Sequence, residues 1–518
     1  MSFAEKSGVR EDMQNYYCLL KNIAALTIIA FIIAPVDFND REIPLIIVQD
    51  TVATEPVEFD FDHIKQRGSI RIVTSYNVGS YFLHGGMDRG FEYDFFAGFA
   101  RKHSLSPEVV VLQPGEDPIE VVNRGDADII ADNFINTPGR SERVYFSEPY
   151  RLIDKHLILS DRLRDIDTLR DIGNIPITIR QNSAQHEALL ALSKIGYTFN
   201  INLVPAIVDE EAILLGVAQG EYYATIADNQ LYDAKKTYMT GLKLGPVISP
   251  NMYVSWGVRS NASRLQHEVD KYIYGNFKHN TNDNDIWKSG FLTILENRYF
   301  NNELQISQYR RDIHDLLYYG QMSPYDDLIR PAADAVNVDW KLALAVIAQE
   351  SSFRPDAVSF AGAVGLMQII PRFSLVSDQD KLMDPKTNIQ EGMRYLNKHL
   401  SHYSYLDREN QIALTLATYN AGMGHVADAR RLVIDSNKDP NNWDDIAEAL
   451  LKLMDRRYHR NARYGYVRGT ETVDYVQKVM AKYKTYQAIA QLPNGSDREL
   501  IEETILAMGK LTDNMERP

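Results

Sequence analysis

The hydrophobic pattern of this chain changes period once, and that change constrains the fold more than any other feature. Between about residues 66 and 300, β-branched runs such as "SIRIVTSY" and "PEVVVLQ" alternate with helix-spaced stretches such as "GFEYDFFAGFARKHSL". "PIEVVNRGDADIIADNF" reads as a helix, a Gly-Asp turn and a strand, and the theme continues through "IPITIRQNSAQHEALLAL" and "MYVSWGVR". Strands that alternate with helices of this length build βαβ units, so a mostly parallel sheet is expected. Residues 265–300 read as polar and helical, broken at "NTNDND". From "SPYDDLIRPAADAV" onward the spacing is helical almost throughout, in "DWKLALAVIAQE", "NIQEGMRYLNKHLSHY", "NQIALTLATYNAG" and "TVDYVQKVMAKYKTYQAI". The expected fold class is therefore multidomain, an α/β domain followed by an all-α domain.

The termini complete the division. "IAALTIIAFIIA", residues 23–34, is an apolar run preceded by Lys21 and shorter than the roughly 20 residues of a membrane span. It reads as a signal peptide or, because Ile32 spoils the cleavage pattern, as an uncleaved anchor, and either implies export. The expected segments are a leader or anchor (1–40), a linker (41–65), the α/β domain (66–300), the helical domain (301–492) and a charged tail (493–518). The single cysteine, Cys18, precludes an intramolecular disulfide and a Cys-rich zinc site. It precedes the apolar run, which does not support lipid anchoring. With no HExxH and no glycine-rich phosphate loop, no metal or other cofactor is expected. The formal charge of −15 argues against nucleic-acid binding. It also repels an acidic glycan at long range, so such a substrate must be gripped locally.

Three places in the α/β domain suit a ligand. "NTPGRSERVYFSEPY" puts Arg140 and Arg143 between a strand and an aromatic run. "RQNSAQHEALL" puts Asn182 and Ser183 at a helix N-terminus, where free N–H groups favour an anion. "ATIADNQLYD" ends a strand with Asp228. A solvated arginine and a plain helix cap are the alternatives for the first two. The order "GSIRIVTSYN … GFEYDFFAGFARKHSL … GDADIIADNFINTPGRSERVYFSEPY" resembles the type II periplasmic solute-binding family. That resemblance implies a two-lobed, hinged domain in which Arg140 clamps a ligand carboxylate and Asp228 holds its amine. "DNFINT" departs from the small residues common there, so the small ligand is an amino acid or a muropeptide fragment.

In the helical domain, Glu350 stands out in "AVIAQESSFRPDAVSFAGAVGLMQIIPRF". Val346 and Ile347 precede it by one helical turn, so the carboxylate shares a face with aliphatic side chains. Desolvation raises a carboxyl pKa and suits it to general-acid work; a glutamate neutralised by Arg354 is the alternative. Downstream, "SFAGAVGLMQIIP" lets another chain or a sugar approach closely, "TYNAG" ends a helix with Tyr419 and Asn420, and "RYGYVRGTETVDYV" contributes Tyr475 together with a basic patch at Arg463 and Arg468.

The ordered blocks "ES", "GLMQ", "YNAG" and the late tyrosine resemble the goose-type-lysozyme-like domain of lytic murein transglycosylases. The resemblance implies that Glu350 is the sole catalytic acid and base. It also implies that Ser351, Ser359, Met367, Gln368, Tyr419, Asn420 and Tyr475 meet the glycan, and that the product carries a 1,6-anhydro ring on MurNAc. The implied partners are peptidoglycan strands, in the periplasm and with membrane association through the N-terminal segment. Ordinary glycosidases use two carboxylates, and here only Asp356 lies near Glu350 in sequence. A muramidase that uses Asp356 to direct water, and a periplasmic sensor with an inactive helical scaffold, are the rival readings.

Overall fold

A computed structural model describes residues 55–113, 115–181, 183–204, 208, 210–229, 231–232, 239–280 and 285–492. The expected leader, the linker up to residue 54, the tail from residue 493 and Asn182 lie outside these residues. Among the described residues no helix is long and apolar enough to cross a membrane. The end of the expected linker is a helix, Phe61–Arg67, started by Asp60, whose carboxylate accepts the Phe61 N–H at 2.7 Å.

The α/β part contains strands β1 (Ser69–Thr74), β2 (Phe82–His84), β3 (Met87–Arg89), β4 (Ser106–Val111), β5 (Ile129–Ile130) and β6 (Tyr145–Ser160). It continues with β7 (Pro176–Arg180), β8 (Asn200–Val204), β9 (Ala224–Asp228) and β10 (Leu242–Val258). Eight of them form one sheet in the order β4-β1-β5-β10-β6-β9-β7-β8, with β2 and β3 as a separate hairpin. β1 is parallel to β4 and β5, and β7 is parallel to β8 and β9. β6 and β10 run antiparallel to each other and to their other neighbours β9 and β5. The sheet is therefore mixed: four of its seven pairings are parallel, as the alternation of strands and helices requires, and the three that involve β6 or β10 are antiparallel. β6 and β10, 16 and 17 residues long, pass from one lobe to the next and pair without a crossover helix.

Each lobe has its own core. Phe91, Phe95, Phe96 and Phe99, on the helix Phe91–Lys102, pack with Tyr150, Ile153 and Trp256 in the first lobe. Leu157, Leu159, Ile177, Ile179 and Leu189 pack in the second. The core changes hands along β6 between Ile153 and Leu157, and irregular pairing of β10 between Leu244 and Met252 accompanies the change. The stretch read as polar and helical also contains a hairpin, β11 (Phe277–Asn280) with β12 (Asp285–Lys288). Its alternation was masked by the polar break between the strands.

The remainder is helical, as its period requires. The helix Trp340–Ser351 starts at Asp339, whose side chain accepts the Lys341 N–H, and Leu342 to Ala348 are buried on every side. An all-round apolar helix belongs at the centre of its domain. The last helix, Gly469–Ile489, packs against both this central helix and β4. Thr485 Oγ1 donates to the Val109 carbonyl at 2.9 Å, Tyr486 Oη donates to the Gly86 carbonyl at 2.9 Å, and Lys482 pairs with Asp88. One apolar cluster accordingly runs from Phe82 and Phe91 through Tyr309 to Val346 and Tyr486.

Candidate active site

Glu350 sits in the last turn of the central helix, which ends because Ser352 and Phe353 both adopt left-handed backbone (φ 52° and 60°). Burial, opposed by a hydrogen bond from Tyr475, pushes its carboxyl up to about 7. The negative end of the helix dipole acts in the same direction as burial, since an anion is disfavoured there. Tyr475, itself buried, donates its hydroxyl to Glu350 Oε1 at 2.7 Å. Burial also holds the Tyr475 phenol well above its ordinary pKa, so it remains a donor. Arg354 does not neutralise the acid: its Nε donates to the Ser351 carbonyl at 3.2 Å, and among the described residues no cation pairs with Glu350. Asp356 is exposed.

The "GLMQ" turn lies beside this acid and is held from two sides. Tyr419 Oη donates to the Met367 carbonyl at 2.7 Å, while its pKa is raised by burial and by the charge of Glu350. Asn388 is fully buried; its Oδ1 accepts the Met367 N–H at 2.8 Å, and its Nδ2 donates to the carbonyls of Val364 (2.8 Å) and Leu382 (2.7 Å). Gly365 turns the chain at φ 78°, and a Cβ there would meet Asn388 Nδ2 at 2.2 Å, so only glycine fits. Gln368 takes left-handed backbone (φ 49°), and its Nε2 donates to the carbonyls of Ala357 (3.0 Å) and Gly365 (2.9 Å).

The expected glycan-contacting residues thus separate into distinct positions. Tyr475 touches Glu350, and Tyr419 stands within reach of its charge. Asn420 is exposed, with its Oδ1 accepting from Thr472 Oγ1 at 2.9 Å. Ser359 is half-buried and its Oγ accepts the Ala363 N–H at 2.9 Å, closing the turn ahead of "GLMQ". Two side chains face inward instead. Ser351 is buried and bonds back to the Ile347 carbonyl, and the Met367 side chain is wholly buried against Gly392, so only its backbone borders the site. Asn388 and Thr472 were not anticipated. A lone asparagine at an apolar register in "NIQEGMRYLNKHL" was the one signal for the first.

In the α/β part, Arg140 lies with its guanidinium 4.7 Å from the Phe134 ring and donates to the Ile135 carbonyl at 3.1 Å. Asp228 is buried 3.6 Å from the Lys155 ammonium and accepts the Leu231 N–H at 2.6 Å. Ser183 caps its helix, accepting the His186 N–H and donating to the Arg180 carbonyl at 2.7 Å. Arg180 connects the three, because its charge bears on Arg140 and, with that of Lys155, holds the half-buried Glu210 carboxyl down to about 2. Arg143 pairs with Asp117 and Glu120.

A contact between the two parts lies three residues from the acid. The β2–β3 turn brings Gly86 against Phe353, three residues past Glu350, so closely that a Cβ on Gly86 would meet the ring at 2.4 Å. His84 of the same hairpin lies 2.5 Å from Asp312 on the helix Glu303–Tyr319.

Among the described residues no cluster of His, Cys, Asp or Glu has the arrangement of a metal site. Comparison with known proteins matches residues 327–443 to the family described as Transglycosylase SLT domain. Residues 71–317 match Bacterial extracellular solute-binding proteins, family 3. Membrane-bound lytic murein transglycosylase F of Desulfosudis oleivorans is 29% identical over 427 residues, which is 81% of this chain and 90% of that protein. Membrane-bound lytic murein transglycosylase F 1 of Alkalilimnicola ehrlichii is 26% identical over 444 residues, 84% of this chain and 87% of that protein. Among solved structures, an ancestral arginine-binding protein bound to arginine covers 45% of this chain and 99% of its own at 18% identity, with a TM-score of 0.37.

Proposed function

Because this chain belongs to the lytic murein transglycosylases that join a family 3 solute-binding domain to an SLT domain, we propose that it cleaves the MurNAc–GlcNAc bond of peptidoglycan without water. The observation that carries the reading is the environment of Glu350: a single carboxyl, raised to about 7 by burial, with a tyrosine as its hydrogen-bond partner. In the neutral form Glu350 donates its proton to the glycosidic oxygen as the C1–O bond breaks and GlcNAc departs. Positive charge develops at MurNAc C1. The carboxylate left behind, now stabilised by the Tyr475 hydroxyl, takes the proton of the MurNAc C6 hydroxyl as O6 bonds to C1. One C–O bond is broken and one formed, Glu350 ends protonated again, and the product is a 1,6-anhydro ring. Acid–base help of this kind contributes roughly 10²–10⁴-fold. The exposed Asp356 offers no second buried carboxylate to direct a water molecule.

Product masses test this directly. Digestion of peptidoglycan should release fragments one water lighter than reducing-end muropeptides, and Glu350→Gln should release none. Reducing-end products identify a muramidase, and lysis by the glutamine variant removes Glu350 from its role.

The α/β domain, in this reading, binds an amino acid or muropeptide fragment between its lobes, with Arg140 on the carboxylate and Asp228 near the amine. The Gly86–Phe353 contact supports a coupling in which lobe closure alters access to Glu350. Equal turnover with and without muropeptide ligand, in the wild type and in Arg140→Ala, would remove that coupling. The protein acts in the cell envelope outside the cytoplasm, with the segment at 23–34 serving as its export leader or as an uncleaved membrane anchor.

A further inference from the structure

The stretch "RRYHRNARYGYVR", residues 456–468, takes no part in the acid–base chemistry above, yet it is strongly basic in a chain of formal charge −15. It is a held loop. The buried carboxylate of Asp428 accepts the backbone N–H groups of Arg463 (3.1 Å) and Tyr464 (2.7 Å), and Val467 is buried beneath. Gly465 turns the chain at φ 77° and leaves Tyr464 and Tyr466 each 52% exposed.

The C-terminal half of the loop leads into the candidate active site. The Tyr464 ring lies against Gly424, four residues past Asn420, where a Cβ would meet it at 2.5 Å. Beyond the loop, the helix Gly469–Ile489 supplies Thr472 to Asn420 and Tyr475 to Glu350. The arginines are unequally occupied. Arg457 pairs with Asp455 and Arg468 with Glu471, whereas Arg456, Arg460 and Arg463 have no carboxylate partner among the described residues. The Arg463 guanidinium rests over the Tyr464 ring, 5.6 Å from its centroid.

We propose that this loop is a subsite for the carboxylate-bearing peptide substituents of a murein strand, and that it selects peptide-bearing glycan over stripped glycan. This rests on the reading of Glu350 as the murein-cleaving acid. An acidic protein repels an acidic strand until a local cationic grip takes over. Arginine forks match carboxylates bidentately, and exposed tyrosine rings offer apolar faces to the peptide or sugar alongside. Of the unpaired arginines, Arg463 lies over the Tyr464 ring, which packs on Gly424, four residues past Asn420.

The test compares the full-length wild type with Arg460→Ala/Arg463→Ala on intact murein strands and on the same strands stripped of peptide. At low salt the variant should lose about tenfold in kcat/KM on peptide-bearing strands, since each exposed charge pair is worth a few-fold. Turnover of stripped strands should stay within twofold. Arg460→Lys/Arg463→Lys should recover part of the preference, and the wild-type preference should shrink as salt rises. An equal loss on both substrates, or none on either, overturns the subsite while leaving Glu350 in place. Loss of co-sedimentation with phosphatidylglycerol vesicles, with both turnovers intact, overturns it in favour of a lipid-facing loop. A wild type that releases nothing from either substrate overturns this inference and the reading of Glu350 together.

Discussion

Replacing Tyr475 by phenylalanine removes one oxygen from a buried ring and takes away the hydrogen bond to Glu350 Oε1, 2.7 Å long. That bond favours the charged carboxylate, so it opposes the burial that raises Glu350 to about 7. A hydrogen bond to a charged group contributes about 1.5–3 kcal/mol, and one pKa unit corresponds to about 1.4 kcal/mol. Losing it should lift the Glu350 pKa by roughly one to two units. In the proposed mechanism catalysis begins from neutral Glu350, so the alkaline limb of kcat/KM should move to higher pH in Tyr475→Phe. The plateau should fall by about tenfold, because the carboxylate formed after proton donation has lost its stabilising donor. Release of anhydro-muropeptides from purified sacculi between pH 5 and 9.5 measures both effects, with circular dichroism confirming that the variant folds. An alkaline limb that stays in place or moves down would refute the assignment of Tyr475 as the partner that tunes the acid.

Two further outcomes follow from the same geometry. The folded state favours protonated Glu350, so its contribution to stability is present below pH 4.5 and lost as pH rises through about 7. Glu350→Gln carries no charge to desolvate and should be more stable than wild type by about 3 kcal/mol at pH 8 and by nothing at pH 4, as read from chemical denaturation; a pH-independent difference contradicts the burial argument. Asn388→Ala deletes the three hydrogen bonds to Met367, Val364 and Leu382. It should cost about 3–5 kcal/mol and abolish lysis, with faster amide exchange at 364–368 as the signature; unchanged exchange there would show that the turn holds itself.

What the sequence revealed was whatever depends on local spacing. The shift from alternating to helical period marked the two architectures, the run "DWKLALAVIAQE" marked the central helix, and Glu350 stood out as a lone acid on an aliphatic face. Long-range pairing was not written locally. The mixed sheet arises because β6 and β10 each belong to two lobes, and a strand's hydrophobicity does not say which way its neighbour runs. The β11–β12 hairpin was hidden by its polar connection. Ser183 read as a ligand group or as a helix cap, and its hydroxyl caps the helix, accepting the His186 N–H and donating to the Arg180 carbonyl.

The same distinction explains the "GLMQ" turn. Met367 carries a motif position, yet its side chain is wholly buried and its N–H and carbonyl are taken by Asn388 and Tyr419. The site therefore depends on that residue for the position of its backbone rather than for its thioether. A residue of similar volume that fills the space against Gly392 should preserve the turn, because volume-conserving core changes usually cost under about 1.5 kcal/mol. Met367→Leu should accordingly retain lytic activity within about threefold, measured as anhydro-muropeptide release. A loss comparable to that of Glu350→Gln would mean that the sulfur itself faces the glycan, and the inward orientation of Met367 would be wrong.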